Sequence, residues 1–134
     1  MLPYVIGIVA SVGVAAFARL VGLDRDRAFY PTVLIVVASY YLLFAVISGS
    51  VHTMLMESAV MVLFVAAAVV GFKSSIWIVV VGLAAHGCMD AVHSAFIANS
   101  GMPVWWPAWC LSYDVGAAAV LGWLVRNRPA PEHV

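Results

Sequence analysis

Apolar residues fill this chain in five long runs, at about 3–22, 30–48, 52–72, 76–99 and 108–125. Polar residues are confined to the short breaks between the runs and to a few isolated positions inside them. Each run approaches the roughly 17–25 residues that a helix rising 1.5 Å per residue needs to cross the hydrocarbon core of a bilayer. The pattern predicts an all-α, polytopic transmembrane bundle of about five spans, forming one domain over residues 1–134. Four spans are the alternative, with the tryptophan-rich segment re-entrant or the first run lying in the interface. Tyr30 and Pro31 open the second helix, where proline needs no hydrogen-bonded N–H. Lys73, Ser74 and Ser75 read as a tight turn, and Asp24 to Arg27 as a solvated loop of alternating charge. In the first run Gly7, Ser11 and Ala15 recur at spacing four, a small-residue face that lets another backbone come close.

The isolated polar positions carry the chemistry. In the fourth run His86, Asp90 and His93 fall at about 0°, +40° and −20° on a helical wheel, so all three point one way. The third run holds Glu57, and the fifth holds Cys110 and Asp114 one turn apart. Runs three and five cross in one direction and run four in the other. Counting from one boundary then puts Glu57, Asp90, His93 and Asp114 roughly 9–15 Å deep, with His86 about one turn deeper. Each carboxylate buried alone in lipid costs about 2.5–3.5 kcal/mol at a helix centre, so convergence on one protein-lined site is the economical arrangement. Tyr41 lies at a similar depth and can donate to the acidic cluster or pack as a core tyrosine. Met54 and Met61 share the face of Glu57 and read as adaptable packing, not a copper relay.

Composition agrees with the pattern. The chain is 66% hydrophobic and 9% charged, with a mean hydropathy of +1.10, which excludes an ordinary soluble globule. The formal net charge of zero conceals an asymmetry. With five spans, Arg19, Arg25, Arg27, Lys73, Arg126 and Arg128 all fall at one end, which the positive-inside rule makes cytoplasmic. The amino terminus is therefore expected outside and the carboxyl terminus inside. Residues 1–22 lack a cationic start and a small-residue cleavage site, so they are expected to stay as a span. Trp105, Trp106 and Trp109 suit the opposite interface as anchors, with a lid over the site as the second reading. The tail 129–134 reads as a short flexible polar end. Cys88 and Cys110 both fall within spans, and a disulfide between them is not expected. Neither a phosphate-binding glycine loop nor a basic tract suggests a nucleic-acid partner; membrane lipids, a homo-oligomer or a larger membrane complex are the expected partners.

Three carboxylates and two imidazoles in a low-dielectric pocket need compensation. A divalent cation supplies it, and the ligand types favour zinc or iron, whereas oxygen-only ligation suits magnesium or calcium. The other solution is a metal-free network in which both histidines are protonated. The metal assignment names His86, Asp90 and His93 as ligands, with Glu57 and Asp114 as general base or further ligand. Heme is not expected, because His86 and His93 share one face and no other buried histidine opposes them.

This constellation of Glu57, then H-x-x-x-D-x-x-H, a proline-bearing loop and C-x-x-x-D resembles a family of small bacterial integral membrane proteins to which no activity is assigned. The resemblance covers the chain from Arg19 onward and implies a bacterial-type cytoplasmic (inner) membrane. In chemistry the site is also similar to the intramembrane zinc hydrolases of the alkaline ceramidase and adiponectin-receptor superfamily, which use histidines and an aspartate inside a helical bundle. The present chain departs from them in having about five spans instead of seven and no H-x-x-x-H pair.

The function expected first is metal-dependent hydrolysis of a lipid or other apolar substrate, the metal lowering the pKa of a bound water. The rivals are a non-catalytic subunit of a larger complex, with the cluster setting helix register, and a proton or metal-ion transport component. Ser94 and Ser112 do not have the surroundings of nucleophiles. A di-iron bundle would need E-x-x-H motifs that the sequence does not contain.

Overall fold

The structure, a computed structural model, describes residues 1–127; Arg128 and the tail at 129–134 lie outside the described residues. Among the described residues it is all-helical: α1 (Leu2–Val21), a 3-10 turn (Leu23–Arg25), α2 (Phe29–Ser48), α3 (Val51–Lys73), α4 (Trp77–Phe96) and α5 (Trp106–Asn127). All five α-helices are long and apolar enough to span a membrane, so this is a multi-pass membrane protein and the four-span alternative falls away. Four boundaries are local and chemical. Gly22 and Gly49 take the left-handed conformation at the ends of α1 and α2, where a side chain would be strained. Ser50 caps α3 by accepting the Thr53 N–H. Pro107 sits in the first turn of α5, where its missing N–H costs nothing.

Helix α4 ends at Phe96, short of the expected limit near residue 99. Ile97 turns extended, and the Asn99 side chain folds back to donate to the Tyr41 carbonyl. Gly101 then lies so close to the end of α2 that a Cβ there would fall 2.1 Å from the Phe44 carbonyl oxygen. The α4–α5 loop therefore closes over the end of α2.

Helices α2, α4 and α5 form the centre. About two-fifths of each apolar window is buried in these three, against 17% in α1 and α3, which present most of their surface to lipid. The packing runs α1 on α5, α5 on α4, α4 on α3 and α3 on α2, with α2 also touching α4. Leu34, Tyr41, Val79, Leu83, Cys110 and Leu121 occupy the core.

Against α5, helix α1 uses the small-residue face read from the sequence. A Cβ at Gly7 would sit 2.0 Å from Ser112 Oγ, and one at Gly116 would sit 2.2 Å from Ser11 Oγ. These contacts pair the early part of α1 with the early part of α5, so the two helices run parallel, as an odd number of crossings requires.

The loop after α1 is more than a solvated turn. Asp24 is buried and pairs with Arg19 at 3.1 Å. Arg27 donates from Nη2 to the carbonyls of Ser74 (2.5 Å) and Gly71 (3.3 Å), capping α3 with a cation at its carbonyl end. That loop and the α3–α4 turn are thereby tied together, and Arg19, Arg25, Arg27, Lys73 and Arg126 gather at one end of the bundle. At the other end Trp105, Trp106 and Trp109 contact one another in sequence at tilted angles; Trp106 meets Tyr40 and Phe44, and Trp109 stacks on Tyr113.

If the basic end is cytoplasmic, as the positive-inside rule predicts, cysteines placed at Leu2 and Asn127 in a Cys88→Ala background should react with an impermeant maleimide from opposite sides of the membrane. Modification of both from one side would contradict the orientation.

Candidate functional site

The residues of α4 that share a face all point into the bundle: His86, Asp90 and His93 are each 2% exposed or less. They do not meet at one point. A helix advances about 10.5 Å over seven residues, so side chains at 86 and 93 cannot close on a common ion without leaving their rotamers, whereas 86 and 90 are one turn apart. The stripe divides accordingly into two centres.

In the first, His86 Nδ1 lies 2.6 Å from Asp114 Oδ2 on α5 and 3.6 Å from Asp90 Oδ2 on its own helix. Cys110, one turn before Asp114, directs its thiol to Asp114 Oδ2 at 3.7 Å. Two pairs at helical spacing four, His86/Asp90 on α4 and Cys110/Asp114 on α5, thus face one another. Their ligand-type atoms all lie within 4.8 Å of each other, and all four residues are buried. Phe64 places its ring edge against His86, with centroids 4.7 Å apart.

In the second centre His93 Nε2 is 2.9 Å from Glu57 Oε1 on α3. The same carboxylate oxygen accepts from Asn99 Nδ2, also at 2.9 Å. Tyr41 joins the two centres. Its hydroxyl donates to Asp90 Oδ1 at 2.5 Å, its ring stacks on His93 with centroids 4.2 Å apart, and its carbonyl accepts from Asn99.

Set against the sequence expectations, His86 and Asp90 stay together, and Asp114 joins them as a neighbour of His86 and not as a detached base. His93 departs from the expected ligand triad, because its Nε2 is taken by Glu57 and its place along α4 is too far from His86. Cys110 enters the first centre. The signal for it was already present in C-x-x-x-D, whose spacing matches that of His86 and Asp90. Asn99 had no signal beyond its place at the end of a run, since only the early stop of α4 turns it inward. Cys88 is free and exposed, and Cys110 free and buried, so the two are unbridged.

The first centre suits a thiolate-tolerant divalent ion. Bonds of about 2.0–2.3 Å in a tetrahedral shell put ligand atoms about 3.3–3.8 Å apart, so the four atoms are near ligation geometry. The 2.6 Å separation of His86 and Asp114 is a hydrogen-bond length and must open by about 1 Å as an ion replaces the shared proton. With both imidazoles protonated and all three carboxylates ionised, Glu57, Asp90 and Asp114 leave one negative charge uncompensated, which either a cation or one further proton balances. Orphaned polar atoms remain as well: Glu57 Oε2, His86 Nε2, Asp90 Oδ2, His93 Nδ1, Asn99 Oδ1 and Asp114 Oδ1 are buried without a hydrogen-bond partner among the described residues. Each unmet buried group costs about 1–3 kcal/mol unless water or a bound group satisfies it.

Comparison with family models, curated proteins and solved structures returns no match for the chain.

Tyr41→Phe removes the donor to Asp90 and leaves a buried carboxylate oxygen without a partner. It should lower stability by about 1–3 kcal/mol in a reversible detergent-denaturation titration. An unchanged midpoint would show that Tyr41 does not hold the two centres together.

Proposed function

We propose that this multi-pass membrane protein binds a divalent metal ion, zinc before iron, at His86, Asp90, Cys110 and Asp114, and uses it to hydrolyse a lipid or another apolar substrate. The observation that carries the reading is the group of four buried ligand-type atoms within 4.8 Å, drawn from two facing helices. A thiol beside an imidazole and carboxylates selects zinc or iron over magnesium or calcium. When bound, such an ion supplies an acidified water.

The second centre provides the proton chemistry. Glu57 and His93 form a buried carboxylate–imidazole pair whose far atoms, Oε2 and Nδ1, carry no hydrogen bond to the described residues. That pair can exchange a proton with water, and Tyr41 bonds to Asp90 on one side and stacks on His93 on the other.

One observation favours a second reading. Each histidine is already matched to an acid on another helix, and Glu57, His86, Asp90, His93 and Asp114 are all 2% exposed or less. Such a network can fix helix register in a non-catalytic subunit without any ion.

Elemental analysis of protein purified without chelator should find one zinc or iron per chain. His86→Ala and Cys110→Ala should remove it, and His93→Ala should leave it in place. Absence of metal from the wild type would reject the metal reading. Asp114→Asn should lose metal while the thermal midpoint holds; under the register-fixing reading the metal-free protein loses about 3–5 kcal/mol of stability on the same change. For hydrolysis, release of fatty acid from amide- and ester-linked lipids should disappear in Glu57→Gln with metal content unchanged. A Glu57→Gln protein as active as the wild type would remove Glu57 from the chemistry.

A further inference from the structure

Around most of the bundle the surface offered to the surroundings is apolar. The clefts between α2 and α3, between α1 and α2, and beside Trp105, Trp106 and Trp109 are lined almost wholly by aliphatic and aromatic side chains. A fourth cleft, of about 380 Å³, differs in chemistry and in place. It opens at the aromatic end, where α4 gives way to the α4–α5 loop, and Ser94, Asn99 and Ser100 bring polar groups to its lining.

Asn99 belongs to this cleft and to the buried site at once. Its Nδ2 donates to Glu57 Oε1 and to the Tyr41 carbonyl, so one residue both lines the cleft and bonds directly to the Glu57–His93 pair. Its Oδ1 is buried without a hydrogen-bond partner among the described residues, and the residue as a whole is 8% exposed. The backbone on either side is held. Thr53 Oγ1 donates to the Ala98 carbonyl at 3.2 Å, and Gly101 lies tight against the Phe44 carbonyl. The part of this wall that can move at small cost is therefore the Asn99 side chain, whose two hydrogen bonds exchange readily for bonds to water.

We propose that this cleft is the mouth through which water and small polar solutes reach the buried site, and that Asn99 is the latch across it. The proposal deepens the reading of the cluster as a working hydrolytic site and rests on it for its purpose. Hydrolysis consumes one water per turnover, and that water adds its hydroxyl to the acyl carbon while its proton passes to the departing oxygen or nitrogen. The unmet polar atoms suit this supply: Asn99 Oδ1, Glu57 Oε2 and His93 Nδ1 are all buried without a hydrogen-bond partner among the described residues. Asn99 acts through Glu57 and is a positioning residue, not a catalytic one.

Access can be read without any assumption about metal or substrate. Diethyl pyrocarbonate, a small uncharged acylating reagent, is applied to the full-length protein in lipid nanodiscs, and modification of His86 and His93 is followed site by site by mass spectrometry. Asn99→Ala should raise the rate at His93 by about tenfold or more, the change expected when the two bonds closing a local opening are removed, and leave His86 slow. Ser100→Trp fills the mouth and should slow His93 modification in both the wild-type and the Asn99→Ala backgrounds. An unchanged His93 rate in Asn99→Ala, an equal rise at His86 and His93, or a Ser100→Trp protein as reactive as its parent would each overturn the proposal. Metal content measured on the same preparations reports on the parent reading separately, so failure of one is distinguishable from failure of the other.

Discussion

A carboxylate inside a bilayer has no solvent, and the interior of this bundle is arranged around that fact. Glu57, Asp90 and Asp114 come from three different helices, and each is met by a donor from another: His93 and Asn99 at Glu57, Tyr41 at Asp90, His86 at Asp114. Because every one of these contacts crosses between elements, the polar network sets the relative rotation and depth of α2, α3, α4 and α5 together. A shift of α4 by one residue would turn His86 and His93 away from both acids. Leucine packing alone imposes no such penalty, since lipid tails solvate apolar side chains as well as another helix does.

Helix α1 shows the other way of holding a helix in lipid. It takes no part in the network and attaches to α5 by shape, with Gly7 against Ser112 and Ser11 against Gly116 at backbone-limited distances. The remainder of its surface is apolar and exposed. The chain thus separates a specified four-helix core from a fifth helix docked by close approach. The loop after α1, through Arg27 and its two carbonyl acceptors at the end of α3, closes the basic end.

The two centres within the core differ in what they can do. The one at His86, Asp90, Cys110 and Asp114 collects a soft ligand with hard ones and has the dimensions of a coordination shell. The one at Glu57 and His93 has no sulfur and is bonded to Asn99, which also lines a polar cleft. Tyr41 keeps them apart while bonding to one and stacking on the other.

Much of this was legible in the residues alone. The length of the apolar runs determined five spans, the placement of arginine and lysine determined a common basic end, and the small residues at 7 and 11 determined a close-packed face. Counting along antiparallel helices turned Glu57, Asp90, His93 and Asp114 inward near a common depth, but it did not show that Asp114 meets His86, one level deeper, while Glu57 meets His93. Periodicity reports the direction of a side chain and its depth to about one turn. Partnership is a different quantity. Whether His93 faces His86's neighbours or Glu57 depends on which helix lies beside that part of α4, and a wheel projection hides the roughly 10.5 Å of rise that parts residues 86 and 93. Only the packing of α5 on α4 brought Cys110 into the first centre. Only the early end of α4 at Phe96, with the loop laid over α2, turned Asn99 from a boundary residue into one that lines a cleft and bonds to a buried acid. The sequence determined what each helix presents; the tertiary structure decided to whom, because contact between helices is fixed by their relative rotation and height, which no single helix encodes.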